Sequence, residues 1–272
     1  MTALKKGTAL ITGASTGIGA IYADRLAKQG YDLILVARSH ALLNTLALTL
    51  ADETGRAIEV LTADLTAPED LARVEATLRQ DASINMLVNN AGIGAVAPLV
   101  DSDVNEMEKM IALNVTALTR LTYAAVPGFV ARGNGTIINI SSITGIAPEI
   151  LNGVYGATKA FVLAFSHSLH HELSDKGIRV QAVLPGATAT DFWAIAGKPV
   201  EDLPPSIVMP AEAMVDAALA GLSDAERVTI PSLQDSENWT RFEAARKELS
   251  TLLGNATPAP RYRPDQSRAQ LA

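Results

Sequence analysis

A tyrosine and a lysine stand four residues apart in the second half of the chain, at Tyr155 and Lys159. Residues at this spacing share one face of a helix, so the ammonium group can lie beside the phenol hydroxyl. A nearby cation favours the phenolate and lowers a pKa that starts at about 10 in a free tyrosine side chain. The pair therefore predicts a tyrosine that exchanges protons with an alcohol near neutral pH. The same spacing also occurs by chance in helices without activity, so other motifs must support the prediction.

A glycine-rich segment follows the first strand-like run, Thr8–Thr12, and opens a helical pattern that begins at residue 17. Glycines allow a tight turn and a close approach of the backbone, and a helix start offers free N–H groups and a positive dipole to phosphate. Because the segment lies between a strand and a helix, it predicts a dinucleotide site rather than a simple turn. The residues expected to contact the dinucleotide here are Gly13, Ser15, Thr16, Gly17, Ile18 and Gly19.

Arg38 stands at the tip of the second strand-like run, where NAD-binding sites carry an acidic residue for the ribose hydroxyls. An arginine at this position can pair with the 2′-phosphate of NADP, and the missing carboxylate removes a repulsion. The sequence therefore favours NADP(H) as the cofactor. A solvated surface arginine is the alternative interpretation.

Short aliphatic runs alternate with longer amphipathic segments, and the runs lack the in/out alternation of half-exposed strands. The predicted strands are Thr8–Thr12, Leu33–Ala37, Glu59–Ala63, Met86–Asn89, Thr136–Ser141, Val180–Leu184 and Val228–Ile230. The predicted helices cover residues 17–29, 40–53, 68–80, 103–131, 155–175, 211–222 and 237–252. This order predicts an α/β protein with a single doubly wound parallel seven-stranded sheet, a Rossmann fold, with helices on both faces.

No repeat or linker divides the sequence, so we expect one domain over residues 1–253 and an extended or disordered tail at 254–272. The proline-rich connection at about 187–210 is too long for a plain turn and predicts a substrate loop. Trp193 and its neighbour Phe192 would wall a substrate pocket there. Anchoring of the loop to the domain is the alternative for both aromatic residues.

The net charge of −7 and the lack of a basic run argue against nucleic acid or an anionic membrane as the main partner. The chain has no cysteine, which excludes disulfides, thiol catalysis and thiolate metal ligands. His167 and His171 share a helical spacing without a third ligand nearby, so no metal site is predicted. Without a leader-like start or an apolar stretch of about 20 residues, a cytoplasmic protein is expected.

From about Lys5 to Leu252 the chain resembles the short-chain dehydrogenase/reductase family through a series of motifs in family order and at family spacing. These motifs are Thr12–Gly19, Asp64-Leu65, Asn89–Gly92, Asn114, Ser142, Tyr155 with Lys159, and Pro185-Gly186. The resemblance implies a Rossmann fold, redox chemistry between a small-molecule carbonyl and an alcohol, and helices that pair subunits into a homodimer or homotetramer.

The resemblance also implies a role for each catalytic position. Tyr155 would be the general acid/base, and Ser142 would hydrogen-bond the carbonyl oxygen of the substrate. Lys159 would hold the nicotinamide ribose and lower the pKa of the tyrosine, and Asn114 would orient a water molecule that feeds a proton relay. Ser141 competes with Ser142 for the serine role, but the family's interval of 13 residues before the tyrosine selects Ser142.

Further positions receive cofactor roles from the same resemblance. Asp64 and Leu65 would contact the adenine, and Asn90, Ala91 and Gly92 would pack beside it. The segment after the sixth strand would line the carboxamide end of the nicotinamide through Pro185, Gly186, Thr188 and Thr190.

Together these residues predict an NADP(H)-dependent oxidoreductase that interconverts a ketone or aldehyde and an alcohol by hydride transfer. Ser142 and Tyr155 would stabilise the charge that develops on the carbonyl oxygen. A dehalogenase-like lyase on the same fold and a redox-sensing binding protein without turnover are the alternatives. The glycine loop and Lys159 argue against the lyase, and the complete catalytic set argues against the sensor. The substrate itself is not defined by the sequence.

Overall fold

The structure is a computed structural model that describes residues 6–262. By its contacts the chain divides into two units, one that ends at Ser232 and one that begins at Leu233. Every residue with a predicted site role lies in the first unit. The predicted boundary near residue 253 stays a prediction, and the end of the predicted tail, 263–272, lies outside the described residues.

Strands and helices alternate through the first unit. Its strands are β1 (Thr8–Thr12), β2 (Asp32–Ala37), β3 (Ile58–Thr62), β4 (Ile84–Asn89), β5 (Gly135–Ile140), β6 (Ile178–Val183), β7 (Thr188–Ala189), β8 (Met209–Pro210) and β9 (Val228–Thr229). Its helices are α1 (Gly17–Lys28), α2 (His40–Thr54), α3 (Pro68–Gln80), α4 (Val104–Ile111), α5 (Leu118–Arg132), α6 (Gly153–Leu173), α7 (Phe192–Ile195) and α8 (Ala211–Ser223).

The main sheet of the described residues has seven parallel strands in the order β3-β2-β1-β4-β5-β6-β9. The chain winds outward from β1 in one direction and then outward from β4 in the other. This doubly wound α/β arrangement confirms the predicted fold. The carboxyl ends of β1 and β4 meet where the winding reverses, and that edge is the usual ligand crevice of such sheets.

Successive strand residues supply two separate cores. In β1, Ile11 packs into an apolar cluster shared with α1, α2 and α8, whereas Leu10 packs into one shared with α3, α5 and α6. Both side chains are fully buried, and burial of each contributes about 1.5–3 kcal/mol relative to exposure. Because both faces are covered, the strands read as continuous apolar runs, which is why their positions are visible in the sequence.

Two parts of the first unit have a form that the sequence pattern does not define. Residues Ala112–Ala117, between α4 and α5, form a π-helical stretch inside what was predicted as one long helix. In the proline-rich connection, Thr188 of β7 pairs with Met209 of β8, and α7 lies between these strands. This short parallel ladder holds both ends of the connection together, so the chain between β7 and β8 forms a closed loop.

The second unit contains α9 (Ser236–Thr251), which begins after an Asp235 cap whose carboxylate accepts from Glu237 N. None of the described residues of this helix is buried. Trp239 and Phe242 stack on each other with ring centroids 5.2 Å apart. Across residues 6–262, no helix combines the length and the apolarity that a membrane crossing requires.

Candidate active site

The glycine loop after β1 is shaped by positive backbone torsions and by close approach. Gly13 and Gly17 adopt φ of +65° and +54°, a conformation that favours glycine. At Gly19, a Cβ atom would lie 2.2 Å from the Gly13 carbonyl oxygen, so only glycine fits there without a backbone shift. The helix α1 starts immediately inside this loop, at Gly17.

The start of α1 is free to meet an anion. Thr16 is the N-cap residue, but its side chain makes no capping hydrogen bond, so it does not occupy the backbone N–H donors of the first turn. Ser15 and Ile18 flank this point in the sequence. Thr190 Cγ2 would lie 3.2 Å from a Cβ at Gly17, which brings the segment after β6 against the loop. Free donors at a helix start can bind phosphate, so the predicted role of this loop in phosphate binding stays a prediction.

Thr12, the last residue of β1, ties the glycine loop to the segment after β4. Its hydroxyl donates to Val88 O at 3.2 Å and accepts from the backbone N–H groups of Asn90 and Ala91, both at 3.0 Å. The Asn90 side chain donates to Thr12 O and Gly13 O. These bonds fix the two sides of the crevice at a set separation.

Arg38 and Asp64 lie at the tips of neighbouring strands. Arg38 is exposed just beyond β2. The Asp64 carboxylate accepts from the Thr66 hydroxyl and backbone N–H, and these bonds, aided by the charge of Arg38, hold its pKa below the usual range. Leu65 is buried. The two charges therefore lie within electrostatic reach at the edge of the crevice predicted for the adenosine half of the cofactor.

Ser142 and Tyr155 meet at the carboxyl end of β5. The Ser142 side chain lies near enough to the Tyr155 side chain to lower the pKa of the phenol, and its Oγ accepts from Thr144 N at 3.2 Å. Ser141 instead donates to Lys159 O at 2.7 Å. Asn152 caps α6 and accepts from Val154 N and Tyr155 N, which sets the start of the helix that carries the tyrosine. The geometry thus supports Ser142, rather than Ser141, as the partner of the phenol.

Lys159 lies beneath the ring of Tyr155. Its Nζ donates to Ile140 O at 2.9 Å and is 5.7 Å from the centroid of the Tyr155 ring. Burial lowers the pKa of Lys159 to about 8. Burial also raises the pKa of Tyr155 to about 12, with the Ser142 side chain offsetting part of the rise. The predicted lowering of the pKa of Tyr155 by Lys159 stays a prediction; in the structure burial raises this pKa, and Ser142 is the group that lowers it.

Asn114 lies buried in the π-helical stretch, and protein groups occupy its side chain. Its Oδ1 accepts from Ile93 N at 3.0 Å, and its Nδ2 donates to Ile93 O at 2.8 Å and Thr158 Oγ1 at 3.1 Å. Thr158 in turn donates to Tyr155 O at 2.8 Å. Asn114 therefore clamps the segment after β4 to the catalytic helix, and its predicted role in holding a water molecule stays a prediction.

The segment after β6 reaches from the catalytic serine to the glycine loop. Pro185 O accepts from Ile143 N at 3.0 Å, and the Thr188 hydroxyl donates to Gly186 O at 3.2 Å. At Gly92 on the opposite side, a Cβ would lie 3.2 Å from Asn114 Oδ1 and 3.5 Å from Lys159 Nζ. The segment after β6 therefore contacts the chain just beyond Ser142, whereas Gly92, predicted to pack beside the adenine, lies next to Asn114 and Lys159.

Trp193 and Phe192 occupy different surroundings. Trp193 is buried and its indole donates to Thr188 O at 3.0 Å, which fits the alternative of loop anchoring. Phe192 instead lies beside Tyr155, with ring centroids 5.7 Å apart. The assignment of Trp193 to the substrate stays a prediction, and the ring that contacts the catalytic tyrosine belongs to its neighbour.

Three positions that the sequence analysis did not assign now take part in the site. Thr12 joins the two sides of the crevice, Thr158 links Asn114 to the tyrosine backbone, and Ser141 holds the carbonyl of Lys159. Thr12 opens the Thr12–Gly19 motif, and Thr158 and Ser141 stand directly beside Lys159 and Ser142, which is the signal that could have identified them. Their hydroxyls point to backbone groups and therefore position other residues.

A crevice of about 500 Å³ opens beside the glycine loop, and its lining does not include Tyr155 or Ser142. It is lined by Gly17, Ala20, Ile21, Ala189, Thr190, Asp191, Val208, Pro210, Ala211 and Glu212. Among residues 6–262, no group of three or more histidine or acidic side chains is arranged to hold a metal ion.

Comparison with known proteins places these features in a family context. The sequence model of the family described as short chain dehydrogenase matches residues 7–199. A short-chain dehydrogenase from Sphingobium yanoikuyae, solved in complex with NADPH, is 51% identical, with a TM-score of 0.92 over 94% of this chain and 100% of that one. The bulky-bulky ketone specific alcohol dehydrogenase from Comamonas testosteroni is 46% identical, with a TM-score of 0.88 over 95% of this chain and 99% of that one.

The curated relatives include larger proteins. The very-long-chain 3-oxoacyl-CoA reductase of Anas platyrhynchos is 39% identical over 201 residues, which cover 72% of this chain and 64% of that protein. The chain therefore spans less than two thirds of the length of this relative.

Proposed function

Because the chain belongs to the short-chain dehydrogenase family, we propose that it is an NADP(H)-dependent oxidoreductase that reduces ketones to alcohols and catalyses the reverse reaction. The observation that carries the proposal is the buried cluster in which the side chains of Ser142 and Tyr155 lie next to each other while the Lys159 ammonium lies near the ring of that tyrosine. Two neighbouring hydroxyl donors can bind a carbonyl oxygen and stabilise the charge that develops on it.

The residues present fit NADP(H). Contacts for a diphosphate would come from the glycine loop, where a Cβ at Gly19 would fill the space, and from the uncapped start of α1. A contact for the 2′-phosphate would come from the exposed Arg38 at the tip of β2. Relatives solved with NADPH, including L-sorbose reductase from Gluconobacter frateurii, which is 28% identical, support the same cofactor. When bound, the nicotinamide supplies or accepts the hydride.

Tyr155 would act as the acid in carbonyl reduction. With its pKa raised to about 12 by burial, the phenol keeps its proton at neutral pH and can donate it to the carbonyl oxygen that Ser142 also binds. An ammonium group has three donors, and Lys159 uses one on Ile140 O. Its remaining donors would bind the ribose hydroxyls, and Asn114 would hold the surrounding backbone in place.

For the substrate we propose ketones that carry large apolar groups on both sides of the carbonyl. The Comamonas testosteroni enzyme with this specificity matches the chain over nearly its full length. The 3-oxoacyl-CoA relatives match a smaller part of their own length, which makes an acyl-CoA substrate the weaker proposal.

The test is NADPH oxidation over a panel of ketones, with Tyr155→Phe as the critical variant. We expect the variant to lose more than 99% of the turnover while its NADPH affinity stays within about threefold, because the phenol contacts substrate oxygen. Tyr262→Phe, which alters an exposed tyrosine outside the predicted site and the proposed subunit contact, is the matched control. A Tyr155→Phe enzyme that keeps more than a few per cent of the activity would overturn the proposal.

The same experiment separates the alternatives. A redox-sensing protein would bind NADPH without oxidising it over the panel, and a dehalogenase-like lyase would release halide from a halohydrin without any nucleotide. The intact glycine loop and Lys159 support the oxidoreductase against the lyase. The cytoplasmic location also stays a proposal, and cell fractionation tests it.

We further propose a homodimer or homotetramer that pairs through α4, α5 and α6. These helices expose large apolar side chains in the described chain: Val104 and Tyr123 are 75% and 69% exposed, and Ile111 and Phe161 are 44% and 38% exposed. An isologous pairing would cover the same patch on both subunits. Light scattering that finds a monomer at micromolar concentration would contradict it.

A further inference from the structure

Phe192, the first residue of α7, covers the tyrosine of the site. The two ring centroids are 5.7 Å apart and the ring planes meet at 47°. Tyr155 keeps only 6% of its surface exposed. A carbonyl oxygen has to reach both the Tyr155 and the Ser142 hydroxyls to react, so a large substrate meets the Phe192 ring on its way.

The outer edge of the Phe192 ring rests on the backbone of the segment after β4. A Cβ atom at Gly94 would lie 2.3 Å from Phe192 Cζ and 2.8 Å from Cε2. Gly94 does not have a positive φ, so its own backbone conformation does not call for glycine. The ring therefore lies between Tyr155 on one side and Gly94 on the other.

Hydrogen bonds hold the segment that carries Phe192, but none of them involves the phenyl ring. The indole of Trp193 donates to Thr188 O at 3.0 Å, and Val96 N donates to Ala196 O at 3.2 Å across the mouth of the site. Trp193 also contacts the Phe192 ring edge-on at 5.7 Å. Phe192 can therefore change its side-chain rotamer while the segment stays attached at both ends.

We propose that Phe192 is a gate, closed against Gly94, which selects substrates by the size of the apolar group beside the carbonyl. A small ketone gains too little contact to replace the interactions that the ring loses when it turns away. A large apolar group replaces these lost interactions by burying its own surface, because the free energy gained grows with the apolar area that is buried. The inference rests on the proposed function and assigns the specificity to one side chain within it.

The first test measures kcat and KM for a methyl ketone and for a ketone with phenyl and butyl groups. Phe192→Ala should lower the kcat/KM ratio of the large over the small ketone by about tenfold or more, mainly through a lower KM for the small ketone, since apolar pocket changes of this kind discriminate at that level. Ile195→Ala, at an exposed residue of the same helix α7, is the matched control and should leave the ratio within twofold.

Gly94→Ala tests the contact itself. In the unmodified background the added methyl group collides with the ring and should force the gate open, which shifts the ratio in the same direction as Phe192→Ala. In the Phe192→Ala background the collision partner is absent, so Gly94→Ala should then change the ratio less than twofold. Equal effects of Gly94→Ala in both backgrounds would overturn the proposal.

A readout without turnover separates failure of the gate from failure of the proposed function. Hydroxyl-radical labelling of Tyr155, normalised to Tyr262, which is 70% exposed in the same molecule, should rise at least threefold in Phe192→Ala and not in Ile195→Ala. Unchanged labelling would refute the gate. Absence of ketone reduction by the unmodified protein would refute the proposed function, while the labelling would still decide whether Phe192 covers the tyrosine.

Discussion

Gly19→Ala is the substitution that should damage the nucleotide loop most directly. The new Cβ would lie 2.2 Å from Gly13 O, 2.8 Å from Gly13 C and 2.6 Å from Asn90 Nδ2. The first two are backbone atoms, so no flexible side chain can move aside for them. Relief requires the loop to separate from the start of α1, where phosphate would bind.

The cost follows from two contributions. Overpacking in a closely packed region costs about 1–3 kcal/mol. Loss of the Asn90 Nδ2 bond to Gly13 O, which is 3.1 Å long, adds about 1 kcal/mol. The better helix propensity of alanine returns about 1 kcal/mol at most. If about 2 kcal/mol of the remainder falls on the binding conformation, the NADPH dissociation constant rises about 30-fold.

The assay is fluorescence titration with NADPH, combined with thermal unfolding at fixed nucleotide concentration. NADPH should raise the Tm of the unmodified protein more than that of the variant, because stabilisation by a ligand grows with its concentration relative to Kd. Gly153→Ala at the first residue of α6 is the control, since a Cβ there meets no atom within 4 Å. A Gly19→Ala protein that binds NADPH within twofold of the unmodified protein would refute the reasoning.

Three further predictions concern charge. NADPH should bind at least tenfold more tightly than NADH, about 1.4 kcal/mol, and Arg38→Asp should shrink or reverse the ratio; equal affinities in the unmodified protein would contradict this. The rate of alcohol oxidation should rise by about tenfold per pH unit between pH 6 and 8, because Tyr155, with its pKa raised to about 12, must lose its proton to act as a base. The rate of carbonyl reduction should not change over the same range. Steady-state rates in both directions check this. Burial raises the pKa of Glu75, but hydrogen bonds from Arg79 and Arg120 outweigh it and leave the pKa lowered, so Glu75 stabilises the fold above the pKa of the unfolded state and loses this contribution as the pH falls. Glu75→Ala should therefore lower the free energy of unfolding by about 2 kcal/mol at pH 7, less than the loss of a fully buried ion pair, because both arginines are half exposed. This corresponds to a Tm lower by about 4–8 °C, with a smaller difference near pH 4. An unchanged Tm at pH 7 would contradict it.

The fold could be predicted because its strands are buried on both faces. The limits of β1 agree at both ends, and β4 begins at Ile84 where Met86 was predicted, a difference of two residues. Continuous apolar runs mark such strands even without alternation. The π-helical stretch at Ala112–Ala117 was predicted as part of one long helix, because an apolar pattern over a few residues does not distinguish i→i+5 from i→i+4 hydrogen bonding.

The site was predictable as a set of positions and less so as an electrostatic environment. Helical spacing brings Lys159 close to Tyr155, as expected, with Nζ 5.7 Å from the ring centroid. Spacing alone carries no information on desolvation, and burial moves the pKa of Tyr155 upward. The same limit applies to the two aromatic residues of the loop. The local sequence does not show that Trp193 donates to Thr188 O or that Phe192 contacts Gly94, since both are tertiary contacts.

Backbone proximity at Lys159 explains why side-chain motifs reveal only part of the catalytic geometry. A Cβ at Gly145 would lie 2.8 Å from Lys159 O, and the Ser141 hydroxyl donates to that same oxygen at 2.7 Å. The main chain of the lysine is thus held by the segment after β5, while its Nζ donates to the carbonyl oxygen of Ile140, the last residue of β5. In the sequence, Gly145 and Ser141 look like a turn residue and a spare serine. In the structure they set how far α6 stands from the sheet, and therefore where the Tyr155 hydroxyl meets that of Ser142.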